Sequence, residues 1–253
     1  MKKRVLINGA AGGIGRTLAT AWKDRYQLTL CDVRLPDVAC GAAHVADVRD
    51  YSRMRELSEG QDALVHLAYL PHNQIGKNGD DEADIAASVK CFEAAREAGA
   101  KKIVYASSNA ATGQNEGEGV RRFSSADSVR AGSWYGIFKA MAEMLGTWMT
   151  QRDPQMRFVG IRIGTYSHGF NIDSDPGSLR NCYSFITQRD LVQLFTLAVD
   201  YDGPERSIIT YGTSGNTDGV NPGYMDIRPA IEHLGYRPED NIYLAHSHKY
   251  LKK

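Results

Sequence analysis

Short apolar runs alternate along the chain with longer segments in which apolar residues recur every three to four positions. The short runs predict buried strands, and the periodic segments predict helices. Strands are predicted at residues 4–8, 27–32, 44–48, 63–68, 102–108, 157–163 and 207–212. Helices are predicted at residues 13–25, through Met54 and Leu57, at 80–98, 133–151 and 189–199, and near 227–234.

This alternation predicts parallel βαβ units with right-handed crossovers. The predicted fold class is therefore α/β, a Rossmann-type doubly wound parallel sheet. A polar, glycine-rich loop is expected at about 114–119, and another loop is expected to run through Arg180. No repeat or composition break divides the chain. We therefore predict a single domain over residues 1–253, in which about 164–253 contribute a small substrate-side lobe.

Composition argues against several classes of partner. The chain has 253 residues, 42% of them hydrophobic, and its 30 basic and 30 acidic side chains give a formal net charge of +0. A nucleic-acid or membrane-surface partner is not expected, because either would favour a basic field. No apolar run is long enough to span a bilayer. The basic start leads into a short apolar run and then glycines, as a first strand does, so we expect a cytoplasmic protein.

The cysteines and C-terminal histidines give no metal-site pattern. The four cysteines are scattered without a CxxC pair and are expected to be buried small apolar residues. His246 and His248 have no third ligand nearby in the sequence. No metal is therefore predicted.

A glycine-rich turn joins the first predicted strand to the first predicted helix. Gly9, Gly12 and Gly15 have GxxGxxG spacing, with Gly13 and Ile14 between the last two. Glycines at these places permit a tight turn, close approach of a pyrophosphate to the backbone, and packing of helix on strand. The pyrophosphate then meets the positive end of the helix dipole. Because strand, turn and helix follow in this order, we predict a dinucleotide site made by these five residues.

An acidic residue at the end of the second strand indicates which dinucleotide binds. Asp32 stands about 20 residues past the glycines, where a carboxylate accepts hydrogen bonds from the adenosine ribose and repels a 2′-phosphate. NAD is therefore expected over NADP, although Arg34 could turn towards a phosphate. Asp47 and Val48 are expected to flank the adenine.

The end of the fourth strand is predicted to pass under the cofactor. Leu67 and Ala68 are expected to contact it there. His66, just before them, has two interpretations, either as a residue under the cofactor or as a buried structural histidine.

A YxxxK pair lies in the predicted helix at 133–151. Tyr135 and Lys139 are four residues apart, so phenol and ammonium share one helix face. The ammonium favours the phenolate, which lets the tyrosine act as a general base at neutral pH, and it can also bind the nicotinamide ribose. The fifth strand ends at Ser107, Ser108 and Asn109, where a hydroxyl can orient a substrate oxygen. Together these residues predict an oxidoreductase that moves a hydride between a nicotinamide cofactor and a hydroxyl or carbonyl group.

The same residues resemble a known family. The segments NGAAGGIGR, CDV, HLA, VYASSN and YGIFKAMAE are similar to the extended, epimerase/dehydratase-like branch of the short-chain dehydrogenase/reductases. The resemblance implies that Tyr135 is the acid/base, that Lys139 is its partner, and that Ser108 rather than Ser107 is the catalytic hydroxyl. It also implies a homo-oligomer built on the helix that carries Tyr135.

Within that branch the chain is similar to the uronate dehydrogenases nearly to its C-terminus. The similar segments include RIGTYS, SFITQRDLVQL, YGTSGN and HLGYRPEDN. The resemblance implies oxidation at C1 of a hexuronate, such as glucuronate or galacturonate, to the aldarolactone with NAD as acceptor. Arg180 would bind the substrate carboxylate through two parallel hydrogen bonds. Ser108, Asn109 and Thr165 would bind the sugar hydroxyls.

Three positions depart from the uronate dehydrogenase pattern. Ala110 replaces a histidine, and Pro71 and Thr165 each replace a serine. Because buried polar contacts discriminate between sugars, these changes put the substrate rather than the reaction type in question. The residues that could replace the lost contacts are Tyr69, His72 and Asn73.

Two other functions stay open. One is an aldose or sugar-phosphate 1-dehydrogenase, or a nucleotide-sugar epimerase, of the same family. An epimerase normally needs a larger C-terminal lobe, and a phosphate needs more cations than Arg180 alone supplies. The other is a non-catalytic dinucleotide sensor. Such a protein typically lacks the tyrosine or lysine of the YxxxK pair, and both are present here.

Several side chains also have an ordinary structural interpretation. Arg180 has the alternative of a surface arginine in a loop. Arg121, Arg122 and Arg130 are interpreted as solvated loop charges. Trp134, beside the predicted catalytic tyrosine, is interpreted as a packing residue.

Overall fold

Seven parallel strands form the central sheet of the protein. The computed structural model describes residues 1–69, 83–117, 123–217 and 224–251. The strands are β1 (Arg4–Asn8), β2 (Gln27–Asp32), β3 (Ala42–Val45), β4 (Ala63–His66), β5 (Lys102–Ser108), β6 (Arg157–Ile163) and β7 (Ser207–Gly212). Their order is β3-β2-β1-β4-β5-β6-β7, and every neighbouring pair is parallel. This confirms the predicted Rossmann-type fold, in which ligands bind at the carboxyl ends of the strands where the order reverses, beside β1 and β4.

Seven described helices flank the sheet. They are α1 (Gly13–Trp22), α2 (Tyr51–Ser58), α3 (Ala83–Glu97), α4 (Trp134–Arg152), α5 (Leu179–Ser184), α6 (Gln188–Asp200) and α7 (Ile242–His246). Residues Asn109–Gly117 and Ser247–Lys249 are 3₁₀-helical, and Ala230–Leu234 form a π turn. The hydroxyls of Ser133, Ser178 and Thr187 cap α4, α5 and α6. Such caps satisfy first-turn amides that have no partner within the helix.

Two apolar clusters lie on opposite faces of the sheet. Successive residues of a strand point to opposite sides, so β1 contributes to both clusters. Val5 and Ile7 pack in the cluster that includes Trp22 of α1. Leu6, between them, packs in the cluster that includes Phe92 of α3. Burial on both faces explains why the strand sequences are mostly apolar.

The helix that carries Tyr135 packs directly on the sheet. A Cβ atom placed on Gly146 of α4 would collide with the ring of Phe158 on β6. The glycine therefore permits a separation between α4 and β6 that any other residue would prevent. This close packing fixes α4 beside β5 and β6, whose carboxyl ends carry further candidate site residues.

Two of the predicted strands have different bounds in the structure. β3 is Ala42–Val45 rather than 44–48, because its pairing with β2 begins at Ala42. β4 ends at His66 rather than at residue 68, because the next two backbone amides donate to the side chain of Asn8. The first helix is also shorter than predicted and ends at Trp22.

Two segments predicted as loops are helical. Residues Asn109–Gly117 are 3₁₀-helical, so the loop predicted at about 114–119 is wrong as far as Gly117, and the positions after it lie outside the described residues. Arg180 lies in α5 rather than in a loop. This helix of six residues begins at the Ser178 cap and is too short to show a periodic pattern. The five-residue helix α7 was not predicted for the same reason.

The C-terminal part of the chain contributes to the sheet as well as to structure outside it. Residues from about 164 onward include β7, which extends the sheet, and α6, which joins one of the two apolar clusters. Of the described elements in this part, α5 and α7 contact each other. Their assignment to a substrate-side lobe stays a prediction. None of the described helices combines the length and apolarity needed to cross a bilayer.

Candidate active site

A cleft of about 400 Å³ opens at the carboxyl ends of β1, β2 and β4. The predicted cofactor residues that line it are Gly9, Gly12, Asp32, Val48, Leu67 and Ala68. Its other lining residues are Val33, Arg34, Ala46 and Tyr69. A second cavity, of about 1140 Å³, lies at the amino ends of the strands and is lined by none of the predicted site residues. Only the first has the position in which doubly wound folds bind dinucleotides.

The glycine turn between β1 and α1 depends on close backbone contacts. Gly9 has a φ of 74°, and a Cβ atom there would lie 2.6 Å from the amide nitrogen of Ala68. A Cβ on Gly15 would collide with the carbonyl oxygen of Gly9. Both positions therefore require glycine, one for the turn and the other for packing the helix onto it.

The first turn of α1 is suited to bind an anion. Its N-cap is Gly12, and no side chain caps the helix there. Amide groups at an uncapped helix start are free to bind the pyrophosphate of a dinucleotide, and the helix dipole favours that charge. Gly13 and Ile14 lie in this turn. The residues present therefore fit the predicted cofactor.

The loop after β6 closes over this helix start. The hydroxyls of Thr17 in α1 and Tyr166 after β6 lie 2.6 Å apart. The same threonine oxygen is 3.1 Å from Nδ1 of His168. A Cβ on Gly13 would lie 3.5 Å from Cβ of His168, an ordinary contact distance. The segment between β6 and α5 thus contacts the first turns of α1.

Asp32 is held at the end of β2 by backbone amides. Its Oδ2 accepts a hydrogen bond of 3.0 Å from Ala11 in the glycine turn, and its Oδ1 accepts one of 3.3 Å from Arg34. The carboxylate therefore has a fixed position in the cleft, where it can accept hydrogen bonds from ribose hydroxyls. The side chain of Arg34 is exposed.

The two residues predicted to flank the adenine have different surroundings. Val48 is buried and lines the cleft. Asp47 is not among the lining residues, and its carboxylate accepts hydrogen bonds from the guanidinium of Arg49 at 2.6–3.1 Å. Those hydrogen bonds lower the pKa of Asp47.

His66 is a buried structural histidine. Burial, together with the smaller effect of the charge of Lys139, lowers the pKa of its imidazole to about 3, so the ring is neutral. Its Nδ1 lies 2.8 Å from Nδ2 of Asn8. The other amide atom of Asn8, Oδ1, accepts hydrogen bonds from the amides of Leu67 and Ala68. Asn8, which the sequence analysis missed, thus shapes the floor of the cleft.

Tyr135 and Lys139 lie in the first turns of α4, as the YxxxK spacing predicts. Lys139 is 3% exposed, and its ammonium donates a hydrogen bond of 2.8 Å to the carbonyl of Ala106 on β5. The same ammonium is 5.5 Å from the centroid of the Tyr135 ring. The lysine therefore places a positive charge next to the phenol, where it favours the phenolate.

Tyr69 connects the cleft with the predicted catalytic pair. It lines the cleft, and its ring packs edge-on against Tyr135 with the centroids 4.9 Å apart. The ammonium of Lys139 lies 5.7 Å from the Tyr69 centroid and 4.8 Å from that of Tyr105, within cation–π range. The sequence analysis named Tyr69 as a residue that could replace a lost sugar contact, but it did not predict these contacts with Tyr135 and Lys139.

The two serines at the end of β5 point in opposite directions. Ser107 is buried and donates a hydrogen bond to Glu143 of α4. Ser108 donates to Oδ1 of Asn109 at 3.2 Å and accepts from the amide of Ala110 at 3.1 Å. The hydroxyl of Ser108 is therefore hydrogen-bonded within the turn that carries Asn109, and its role towards a substrate stays a prediction.

The other predicted substrate residues are joined through α5. Thr165 after β6 pairs with Phe185, and its hydroxyl lies 2.9 Å from that of Ser184 at the end of α5. Arg180 lies in the same helix and is exposed. The structure thus connects Thr165 with the helix that carries Arg180.

Some sequence-level interpretations lie outside the described residues. They concern Pro71, His72, Asn73, Arg121 and Arg122.

Arg130 is exposed in the segment before α4. Trp134 stacks on Phe138 with the centroids 5.9 Å apart, in agreement with its interpretation as a packing residue, although half of its surface is exposed.

Comparison with known proteins decides the family. The family described as NAD dependent epimerase/dehydratase matches residues 5–177. The chain belongs to this family. The match includes the glycine turn, Asp32 and the YxxxK pair.

Several known proteins are similar to this chain over nearly its whole length. Uronate dehydrogenase of Pseudomonas putida is 30% identical over 250 residues, which cover 94% of this chain and 84% of that protein. NAD-dependent glucose-6-phosphate dehydrogenase of Haloferax volcanii is 28% identical over 259 residues, which cover 95% of each chain. The crystal structure of uronate dehydrogenase from Agrobacterium tumefaciens matches with a TM-score of 0.81 and 25% identity, covering 98% of this chain and 88% of that one.

These matches confirm the predicted family, an NAD-dependent dehydrogenase activity and NAD as the cofactor. The named relatives of this chain include both a sugar-acid and a sugar-phosphate dehydrogenase. The identity of the substrate and the role of each residue are therefore the remaining questions.

Proposed function

We propose that this enzyme oxidises C1 of a hexuronate, such as glucuronate or galacturonate, to the aldarolactone. The observation that carries the proposal is that Tyr69, which lines the cleft, contacts both Tyr135 and Lys139. Similarity to uronate dehydrogenases over 94% of the chain supports the substrate class. The enzyme would act on a small molecule in the cytoplasm, without a nucleic-acid or membrane partner.

The described residues can perform the proton chemistry of this reaction. Bound NAD supplies the acceptor for the hydride that leaves C1. Tyr135 takes the proton of the C1 hydroxyl, and the ammonium of Lys139 stabilises the phenolate that does so. Ser108 donates a hydrogen bond to the same sugar oxygen. Asp32 and the start of α1 would hold the adenosine ribose and the pyrophosphate, while Asn109 and Thr165 would bind other sugar hydroxyls.

The proposal is tested by following NADH formation with a panel of sugars. The panel contains glucuronate, galacturonate, glucose, arabinose and glucose 6-phosphate. We expect the uronates to be the best substrates by kcat/KM. If only a neutral or phosphorylated sugar is turned over, the proposed mechanism stands and the hexuronate is rejected as the substrate. No turnover despite tight NAD binding would favour an epimerase or a sensor.

A sugar or sugar-phosphate 1-dehydrogenase is the second candidate. The similarity to the Haloferax volcanii glucose-6-phosphate dehydrogenase is nearly as high as that to the uronate dehydrogenase. Ala110 and Pro71 also remove two polar groups that the uronate dehydrogenase pattern contains. The phosphorylated and neutral sugars in the panel distinguish this candidate from the first.

Arg180→Met is expected to raise KM for glucuronate by about 10- to 100-fold, the effect of losing a charged hydrogen-bonded pair. The KM for arabinose, which has no carboxylate, should stay unchanged. Arg130→Met, which removes another exposed arginine, is the matched control. Steady-state kinetics on the three proteins check this. Equal KM values for glucuronate in the wild type and Arg180→Met would exclude Arg180 as the carboxylate ligand.

Asp32→Asn is expected to shift cofactor preference towards NADP by about 10-fold in kcat/KM, equivalent to about 1.4 kcal/mol. The asparagine oxygen can still accept the hydrogen bond from Ala11, so the turn should stay intact, while the repulsion of a 2′-phosphate is lost. Asp37→Asn, at an exposed position in the same loop, is the control. Initial rates with each cofactor measure the ratio. An unchanged ratio would show that Asp32 does not select NAD.

A homo-oligomer built on α4 is part of the proposal. Five exposed apolar residues follow one face of this helix, at Trp134, Ile137, Met141, Met144 and Trp148. Because an exposed apolar stripe of this kind commonly marks an interface, Met144→Glu is expected to dissociate the oligomer. Leu244→Glu, at a similarly exposed position on α7, should not. Light scattering after size exclusion measures the mass, and a monomeric wild type would contradict the expectation.

A further inference from the structure

A buried ion pair joins α4, the helix that carries Tyr135 and Lys139, to strand β6. Arg162 of β6 donates to both carboxylate oxygens of Glu143 of α4, through Nε at 2.9 Å and Nη2 at 2.8 Å. The two side chains are only 4% and 5% exposed. The desolvated guanidinium and carboxylate thus form a bidentate contact, which has a more restricted geometry than a single hydrogen bond.

Glu143 links the catalytic helix to the catalytic strand. It lies four residues after Lys139 and eight after Tyr135, so the three side chains occupy one face of α4. Its carboxylate also accepts the hydrogen bond from Ser107, the residue before Ser108 on β5. The same strand supplies the Ala106 carbonyl that holds Lys139.

Arg162 extends the network to the segment that carries Asn109. Its guanidinium lies 5.7 Å from the centroid of Tyr211, its neighbour on β7. The hydroxyl of Tyr211 is 2.7 Å from that of Thr112, which in turn donates to the carbonyl of Asn109. A further hydrogen bond of 3.4 Å joins Arg162 to the carbonyl of Ser125, in the segment before α4. The segments that carry Tyr135, Ser108 and Asn109 are therefore all connected to this pair.

We propose that Glu143 and Arg162 are positioning residues that set Tyr135 and Lys139 relative to Ser108 and Asn109. A buried ion pair is commonly no more stabilising than apolar residues of similar volume. The contact of Gly146 with Phe158 already packs α4 on β6. Stability alone therefore does not account for the pair, whereas a fixed geometry of the catalytic groups does. The inference rests on the proposed dehydrogenase chemistry of this site.

The test replaces both partners at once, as Glu143→Leu with Arg162→Met. Because no unpaired charge is left behind, this double variant should unfold at the same temperature as the wild type or higher. We expect kcat to fall by about 10- to 100-fold, as a small displacement of reacting groups commonly causes. The KM for NAD should change by less than about 2-fold, because the cleft is lined by other residues. Arg25→Met, which removes an exposed ion pair with Asp200, is the control and should leave kcat unchanged.

A stable double variant with wild-type kcat would overturn the proposal, since the pair would then be structural only. If the double variant does not fold, Ser107→Ala provides the test. This change removes one hydrogen bond to Glu143 and should lower kcat several-fold with little change in thermal stability. Wild-type kcat in Ser107→Ala would overturn the proposal in that case.

A substrate-independent measurement separates this proposal from the proposed function. The ionisation of Tyr135 can be followed as the tyrosinate absorbance of each protein minus that of its Tyr135→Phe counterpart. Lys139 and Tyr69 are the titratable groups with described contacts to this ring. If the double variant displaces Lys139, the midpoint should move to higher pH. An inactive wild type would reject the proposed function alone, whereas an unchanged midpoint would reject the positioning role.

Discussion

Replacing Tyr135 with phenylalanine is expected to lower kcat by about 10²- to 10⁴-fold, the contribution of a positioned acid/base group. The phenyl ring keeps its edge-on contact with Tyr69, whose centroid lies 4.9 Å away, so the fold and the NAD cleft should be preserved. Only the hydroxyl that is proposed to take the substrate proton is lost. Initial rates of NADH formation measure the effect.

Two controls accompany this variant. Its affinity for NADH, measured by the fluorescence of the bound cofactor, should equal that of the wild type. Trp134→Phe alters the neighbouring, half-exposed ring without removing a proton-transfer group, and it should retain wild-type kcat. Turnover by Tyr135→Phe within about 10-fold of the wild type would contradict its assignment as the general base.

Replacing Gly9 with alanine is expected to raise the dissociation constant for NAD by about 100-fold, equivalent to about 2.7 kcal/mol. The φ of 74° is unfavourable for any residue with a Cβ, and that Cβ would lie 2.6 Å from the amide of Ala68. The turn, the floor of the cleft, or both must therefore shift. The free energy of unfolding should also fall by about 1–3 kcal/mol, as for other strained backbone positions.

Gly13→Ala is the matched control in the same turn. Its Cβ would have its nearest contact at 3.5 Å, with Cβ of His168, which is an ordinary van der Waals distance, and should be accommodated. Isothermal titration with NAD and chemical denaturation measure the two quantities for both variants. If Gly9→Ala bound NAD as tightly as Gly13→Ala, the backbone geometry of the turn would not be what limits binding.

Much of the sheet could be predicted because its strands are buried on both faces. β1, β2, β5, β6 and β7 have the predicted bounds, since each is a mostly apolar run. β3 is only partly buried along its length, so pairing with β2 rather than local sequence fixes where it begins. α5 and α7 are too short for a periodic pattern, and their starts depend on single capping residues.

The site was predictable where its chemistry depends on local spacing. The glycine turn and the pair of Tyr135 and Lys139 are of this kind, because both partners lie on one element. Tyr69 and the ion pair of Glu143 with Arg162 join elements that are distant in the sequence. Their roles became visible only when the strand order placed those elements side by side. The sequence also left two interpretations of His66 open, and its burial decides for the structural one.

The central claim is that hydride leaves C1 of a hexuronate and that Tyr135 takes the hydroxyl proton. The most direct test supplies glucuronate deuterated at C1, together with NAD, and analyses both products by NMR. We predict that the reduced nicotinamide carries the deuterium, that the sugar product is the aldarolactone, and that neither forms with Tyr135→Phe. Reduced nicotinamide without deuterium, or no reduction by any uronate while another sugar is turned over, would contradict the account.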